Sequence, residues 1–291
     1  MTAPGARLRA AIAEGGLARI MACHSPLSAL LAEQAGFDGV WASGFELSAL
    51  YGLPDAGLVS MSQHLDMVRA IAARVAAPVV ADLDTGFGNA VNLMHAVRLY
   101  EAAGVAALVI EDKTFPKMTS LLPGGRQELA RTEEFAGKIA AALAARRNPS
   151  LIVVARTEAL IAGAGQAEAL SRATAYQAAG ADMILVHSKD PAGADFEAFA
   201  RAWTGSARLV VVPTAFPHMD AARLRALGNV GMVIHGNHAI RASVAAMRET
   251  FGRIAADGGA AGVEASIATV GEIFDLQGMA DVADAEARFL K

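Results

Sequence analysis

The chain lacks several features, and each absence narrows what it can be. It has one cysteine, Cys23, in 291 residues. That excludes a disulfide framework and any metal cluster built from cysteines. No basic run or stripe interrupts a net charge of −4, which argues against nucleic acid and anionic membrane surfaces as partners. No apolar stretch reaches the ~20 residues of a membrane-spanning helix. Residues 1–17 read as a short amphipathic helix without the long apolar core of a signal peptide. A soluble, cytoplasmic protein is expected. Aromatics are only 5% of a composition that is 54% apolar, so most of the apolar content is small, largely alanine. That suits close packing of helices on a sheet.

A repeating unit runs through the chain. A helical segment ends in a small residue and glycine, a short apolar strand follows, and a polar or reactive residue closes it. Ala35-Gly36 leads to GVWAS, Ala103-Gly104 to AALVIED, Ala179-Gly180 to ADMILVHS, and Leu227-Gly228 to VGMVIHG. Each glycine suits the left-handed position past a helix end. Four further strands, ARIMACHS, PVVADLD, LIVVARTE and RLVVVPT, bring the number to eight. The strands are continuously apolar rather than alternating, as in parallel sheets covered on both faces. Unbroken strand–helix alternation predicts a single (β/α)8 barrel of the TIM type. A doubly wound open sheet is the alternative, but no G-x-G-x-x-G follows the first strand. The predicted layout is one barrel domain over 1–291: an N-terminal helix at 1–17, the barrel at 18–236, and a closing helix with a helical extension at 237–291. A tail of that length is either an oligomerisation element or a cap on the barrel.

In such a barrel the active site forms where the strands end. Asp82 and Asp84 lie at i and i+2 on the end of PVVADLD, where strand side chains point the same way. Two like charges leaving a buried strand repel unless a cation lies between them. They therefore predict either a hard-metal site, Mg²⁺ by default for oxygen ligands, or a solvated pair beside a helix that Asn89 caps. Glu111 and Asp112 end the fourth strand, Arg156 and Glu158 the fifth, and His187 the sixth. Acids on adjacent strand ends facing an arginine and a histidine favour a metal site opposite an anion site. Asp55 in YGLPDAG is a further candidate acid. The segment EDKTFPKMTSLLPGGRQELA has the length and glycine content of a lid. Lys117, within it, reads on its own as a solvated loop lysine.

The runs GVWASGFELSA, ADLDTGFGN, EDKTFPKMTSL, VARTEALIAG and MILVHSK resemble the isocitrate lyase/phosphoenolpyruvate mutase superfamily, in order and over nearly the whole chain. The resemblance implies Mg²⁺, or another divalent cation, and 2-oxo or 2-hydroxy acid substrates handled through a pyruvate enolate. It also implies homodimers or homotetramers that exchange a helix between subunits. Residue by residue, it makes Asp82 the direct metal ligand and gives Asp55, Asp84 and Glu111 metal-bound waters. The Ser43 and Gly44 amides would bind the enolate oxygen, and Trp41 and Phe45 would line the pocket. Arg156 and His187 would contact the anionic substrate, and Lys117 would arrive with the lid. The lyase branch carries a lid cysteine; here the stretch is Lys117-Met118-Thr119-Ser120, and Cys23 lies on the first strand. The phosphomutase branch has an asparagine where Thr119 stands, whereas the branch that hydrolyses phosphonopyruvate has a threonine. The expected reaction is therefore hydrolysis of phosphonopyruvate, with Thr119 orienting the water. Phosphoenolpyruvate mutase chemistry, a 2-oxo-acid lyase or decarboxylase, and a non-catalytic metal-binding barrel are the alternatives.

Overall fold

The computed structural model describes residues 3–13 and 15–290. Met1, Thr2 and Glu14, within the helix expected at 1–17, and Lys291, in the tail, lie outside the described residues. The chain separates into two compact units, Met1–Ala239 and Ile240–Lys291.

In the first unit all eight expected strands form: β1 (Ala18–Cys23), β2 (Gly39–Ala42), β3 (Val79–Asp82), β4 (Ala107–Glu111), β5 (Ile152–Thr157), β6 (Met183–Val186), β7 (Arg208–Val211) and β8 (Val230–His235). Each pairs in parallel with the next, and β8 returns to β1 through Ala18↔Met232 and Ile20↔Ile234, so the sheet closes into a barrel. One irregularity, between Leu209 and Val210, bends the β7–β8 pairing.

The helices are α1 (Pro4–Ala11), α2 (Pro26–Gln34), α3 (Gly44–Leu50), α4 (Met61–Arg74), α5 (Ala90–Ala102), α6 (Thr132–Ala145), α7 (Gly165–Ala178), α8 (Ala194–Ala202) and α9 (Ala221–Ala226). Their ends obey the local chemistry. Gly36, Gly104, Gly180 and Gly228 all have positive φ, between 79° and 100°, and Asn89 caps α5 by accepting from Val91 and Asn92.

Two apolar layers follow. Inside the barrel, Ile20, Trp41, Val80, Val109, Val154, Leu185, Val210 and Met232 pack together, with Leu8 and Ile12 beneath them. Between strands and helices lies the larger core, including Tyr100, Phe135, Tyr176, Phe196 and Phe199. Strands buried on both faces need no polar alternation, which is why they read as plain apolar runs. The N-terminal end of the barrel is closed by α1. Arg9 donates to the Pro149, Ser150 and Leu151 carbonyls and to Asp182, while Arg208 reaches the Ile12 and Ala13 carbonyls. The opposite end, where the strands finish, is left for chemistry.

The second unit is helical. α10 (His238–Asp257) leads into it, followed by α11 (Val270–Gln277) and α12 (Met279–Phe289). Thr269 and Glu272 form a capping box on α11, and Gly278, at φ 75°, joins the last two helices. Val270, Phe274, Val282, Phe289 and Leu290 are all exposed. Among the described residues no helix is long and apolar enough to cross a membrane.

Candidate active site

The apolar run of β3 stops at Asp82, and the backbone then leaves the extended region. Asp84 and Phe87 adopt positive φ, 48° and 58°, a conformation uncommon for residues with a Cβ. The Asp84 amide donates to Asp82 Oδ1 at 3.3 Å, and Lys138 of α6 donates to the Thr85 carbonyl at 3.0 Å. Pinned in this way, both carboxylates turn to the mouth of the barrel. Glu111 joins them from the end of β4, its amide donating to the Asp84 carbonyl at 2.8 Å. Asp55 comes from the loop after α3.

Lys117 lies among these acids. It is 7% exposed, with Nζ 2.6 Å from Asp55 Oδ1 and 2.9 Å from Asp84 Oδ1. The solvated-loop reading of Lys117 is therefore wrong: the lid folds back and buries it. Burial alone would lower its pKa, but Asp84, Asp55, Glu111 and Asp82 together push it well above the usual range, so it stays charged.

The acids remain under-compensated. Burial raises Asp82, and Glu111 and Asp55 push the same way against Lys117 and Arg156. Burial, Asp82 and Asp55 push Asp84 up to about 6 against Lys117. Glu111 is raised by burial and by Glu158, against Arg156. Asp55 Oδ1 and Asp84 Oδ1 are buried with the Lys117 ammonium as their shared partner, and Glu111 Oε1 is buried with no hydrogen bond. Buried oxygens of this kind need a partner, and an all-oxygen, net negative set suits a hard divalent cation. Among the described residues no three such groups form a ready-made coordination cage. A cation that keeps several of its waters does not need one.

The other side of the pocket is arranged differently. Glu158, fully buried just past β5, is met by Arg156 Nε at 2.5 Å, Ser120 Oγ at 2.6 Å, His187 Nδ1 at 2.9 Å and Lys113 Nζ at 3.1 Å. Burial would raise this carboxyl, but Arg156, His187 and Lys113 hold it well below the usual range. Arg156 Nη2 also contacts Ser120 Oγ at 3.1 Å and His187 Nδ1 at 2.8 Å. His187 is lowered chiefly by burial and is neutral near pH 7. Behind this cluster the buried Asp112 accepts from the Glu158 amide, Thr157, Arg172 and Tyr176. Asp112 therefore supports the site without facing it.

One pocket joins the two sides. Trp41, Ser43 and Phe45 line it with Asp55, Asp82 and Lys117; Thr119, Ser120, Arg156 and His187 continue it. Asp84, Glu111 and Gly44 are not among its lining residues; they lie behind it, in contact with Lys117, Arg156 and Asp82. A Cβ at Gly44 would lie 2.9 Å from Asp84 Oδ1 and would push on that carboxylate. The expectation for the Ser43 and Gly44 amides needs amendment. The Gly44 N–H donates to Asp82 Oδ2 at 3.2 Å and the Ser43 N–H points to the Cys23 carbonyl at 3.5 Å, so a substrate oxygen must compete for them.

Sequence reasoning missed Lys113, Ser120 and the β7–β8 wall formed by Val212, Thr214, Ile234, Gly236 and Asn237. Thr214 and Gly236 could have been found, since both follow strand ends. Lys113 could not, because its partners come from elsewhere in the chain. Three further polar residues near strand ends have partners of their own. His235 packs on Phe37 and His238, His24 turns to Glu46, and Lys189 ties the Ile161 carbonyl. His64 is buried against Tyr100 at 2.7 Å.

Comparison with known proteins agrees with this geometry. A family model described as phosphoenolpyruvate phosphomutase matches residues 8–255. The phosphonopyruvate hydrolase of Variovorax sp. (strain Pal2) is 57% identical over 98% of both chains. A solved phosphonopyruvate hydrolase complex with oxalate and Mg²⁺ superposes with a TM-score of 0.94 at 54% identity over 100% of both chains. The phosphoenolpyruvate phosphomutase of Streptomyces platensis subsp. rosaceus superposes at 0.96 with 49% identity over 99% of both. With a barrel of this topology and acids and cations at these strand ends, the chain belongs to the phosphoenolpyruvate phosphomutase family.

Proposed function

We propose that the protein hydrolyses the carbon–phosphorus bond of phosphonopyruvate, giving pyruvate and phosphate. Overall shape does not separate hydrolase from mutase, because relatives of both kinds superpose equally well. The carrying observation is Thr119, at the pocket wall between Lys117 and Ser120. Its amide donates to the Asp55 carbonyl at 3.1 Å and its carbonyl accepts from Gln127 at 3.1 Å, which pins the residue beside the acids. A threonine hydroxyl both donates and accepts, so it can orient a water toward phosphorus. The hydrolase of Variovorax, at 57% identity, supports the same choice.

The residues fit Mg²⁺: Asp82 would hold it directly, and Asp55, Asp84 and Glu111 would hold it through water. When bound, it supplies positive charge beside the developing enolate oxygen. The rest of the work falls to the chain. Water attacks phosphorus, the C3–P bond breaks, and its electrons pass into the pyruvate enolate, which then takes a proton at C3. Arg156 and His187 meet the phosphoryl oxygens of a loose, metaphosphate-like transfer, in which positioning and charge dominate. Lys117 brings a second cation beside Arg156 and closes the mouth. The Gly44 and Ser43 amides offer donors to the enolate oxygen, and Trp41 and Phe45 bound the organic half of the substrate.

Incubation of the purified protein with phosphonopyruvate and Mg²⁺ tests this, and equal amounts of pyruvate and phosphate are expected. Phosphoenolpyruvate with little free phosphate would favour the mutase reading. Failure to release phosphate from any phosphonate would favour a lyase or decarboxylase. Thr119→Asn should lower phosphate release; a variant as hydrolytic as the parent would remove Thr119 from the mechanism.

The exposed apolar residues of α11 and α12 support a second inference: the chain self-associates as a homodimer or homotetramer through an exchanged helix. Light scattering of a monomer at micromolar concentration would overturn it. A cytoplasmic location follows from the sequence expectations above and awaits cell fractionation.

A further inference from the structure

Lys113 stands at the root of the lid segment, two residues past the end of β4, and is 2% exposed. Its ammonium has three donors and meets three acceptors: the Met118 carbonyl at 2.8 Å, Ser120 Oγ at 2.7 Å and Glu158 Oε2 at 3.1 Å. Two of these belong to the strip that carries Lys117 and Thr119. The third belongs to the carboxylate that holds Arg156 and His187. Ser120 Oγ is the shared point: it accepts from Lys113 and from Arg156 at 3.1 Å and donates to Glu158 at 2.6 Å. Burying a lysine is costly unless its charge is paired, so this placement needs a reason.

Outside the strip Lys117–Ser120 the segment is held by weaker means. Lys113 bridges Leu129, and the Thr114 amide donates to the Glu128 carbonyl. Phe115, Leu121 and Leu122 are exposed, and Arg126 pairs only with the equally exposed Glu128. Exposed pairs contribute little. The buried strip is anchored at Asp55 and Asp84 by Lys117 and the Thr119 amide, and Lys113 adds the tie that joins Met118 and Ser120 to Glu158.

We propose that Lys113 is a positioning residue that couples the lid strip Lys117–Ser120 to the Arg156–His187 clamp through Glu158. If the strip moves out, Lys113 and Arg156 each lose the Ser120 acceptor, and Glu158 loses the Ser120 donor. The strip and the clamp are thus set together, and Lys117 and Thr119 reach the pocket only when Arg156 is oriented.

The test compares the full chain with Lys113→Met and Lys113→Gln. Tryptic cleavage after Arg126 is followed by mass spectrometry with and without oxalate and Mg²⁺. Turnover of phosphonopyruvate is measured in parallel; only that arm rests on the function proposed above. Loss of a buried charge-assisted network should speed cleavage and lower kcat by about 10–100-fold in Lys113→Met, with a smaller change in KM. Lys113→Gln, which keeps donors, should recover part of both. Parental cleavage and kcat in Lys113→Met would overturn the proposal. Should Lys113→Met fail to fold, a double-mutant cycle of Lys113→Gln with Ser120→Ala on the cleavage rate decides: coupling supports the proposal and strict additivity overturns it. If the parent enzyme shows no turnover, the function proposed above fails, and the cleavage rates still decide the role of Lys113.

Discussion

The two sides of the pocket use the same residue types to opposite ends. On the β3–β4 side, Asp55, Asp82, Asp84 and Glu111 surround Lys117; burial raises Asp82, Asp84 and Glu111, helped by neighbouring acids for the two aspartates and by Glu158 for Glu111. On the β5–β6 side a single carboxylate, Glu158, has four donors around it and is held low. The first side carries surplus negative charge and, at Glu111 Oε1, a buried oxygen with no hydrogen bond; the second is matched. Surplus charge destabilises the fold and is kept where a ligand cation belongs, whereas the matched side fixes the geometry that receives the anion.

The largest expected effect is on the surplus side. Asp82→Asn should abolish divalent-cation binding by calorimetry and lower kcat/KM by at least about 10³-fold. Cation binding of parental strength would show that the surplus charge serves something else. Next comes the matched side. Glu158→Gln leaves Lys113 and Arg156 short of a buried partner and should destabilise by roughly 3–5 kcal/mol. Scanning calorimetry reads this as a lower Tm, and an unchanged Tm would show that Glu158 is not the hub.

Legibility in the sequence followed the same division. The barrel was readable because its strands are buried on both faces, so apolar runs and terminal glycines were the whole signal. The acids were readable because a charge at the end of an apolar run breaks the pattern locally. Lys113 and Ser120 were not: they lie in a lid without periodicity, and their burial is imposed by Glu158 on another strand. Lys117 read as solvated for the same reason, and only the family resemblance placed it. The Ser43 and Gly44 amides have acceptors of their own, the Cys23 carbonyl and Asp82 Oδ2, which no spacing reveals.

A smaller effect sharpens the comparison from beneath the acidic loop. His64 is buried against Tyr100, on which Phe87 stacks at 6.3 Å, and burial is the main cause that pushes it from 6.5 down to about 4. The folded state thus holds this proton less tightly than the unfolded chain. Its stability contribution is complete above pH 6.5 and is lost as pH falls toward 4, up to about 3 kcal/mol. Asp84, raised to about 6, works in the opposite direction over part of this range, so the informative quantity is a difference. Urea unfolding of parent and His64→Gln should diverge between pH 7 and 4, with the variant flatter. Parallel curves would mean that His64 is not a neutral support.

The smallest effect separates the two sides most sharply, because the same conservative change should have opposite signs on them. Replacing Glu158 by glutamine removes a charge that four donors need. Replacing Asp84 by asparagine removes one that Asp82 and Asp55 oppose and that only Lys117, at 2.9 Å, favours. Lys117 retains Asp55 at 2.6 Å, so it is not left unpaired. The repulsion relieved should exceed the attraction lost, and the cation-free Asp84→Asn protein should gain roughly 1 kcal/mol. Added Mg²⁺ should then raise its Tm less than the parent's, since the ion would find one carboxylate fewer. A cation-free Asp84→Asn protein that melts below the parent would show that Lys117 already balances the acids, and the distinction between a surplus side and a matched side would fail.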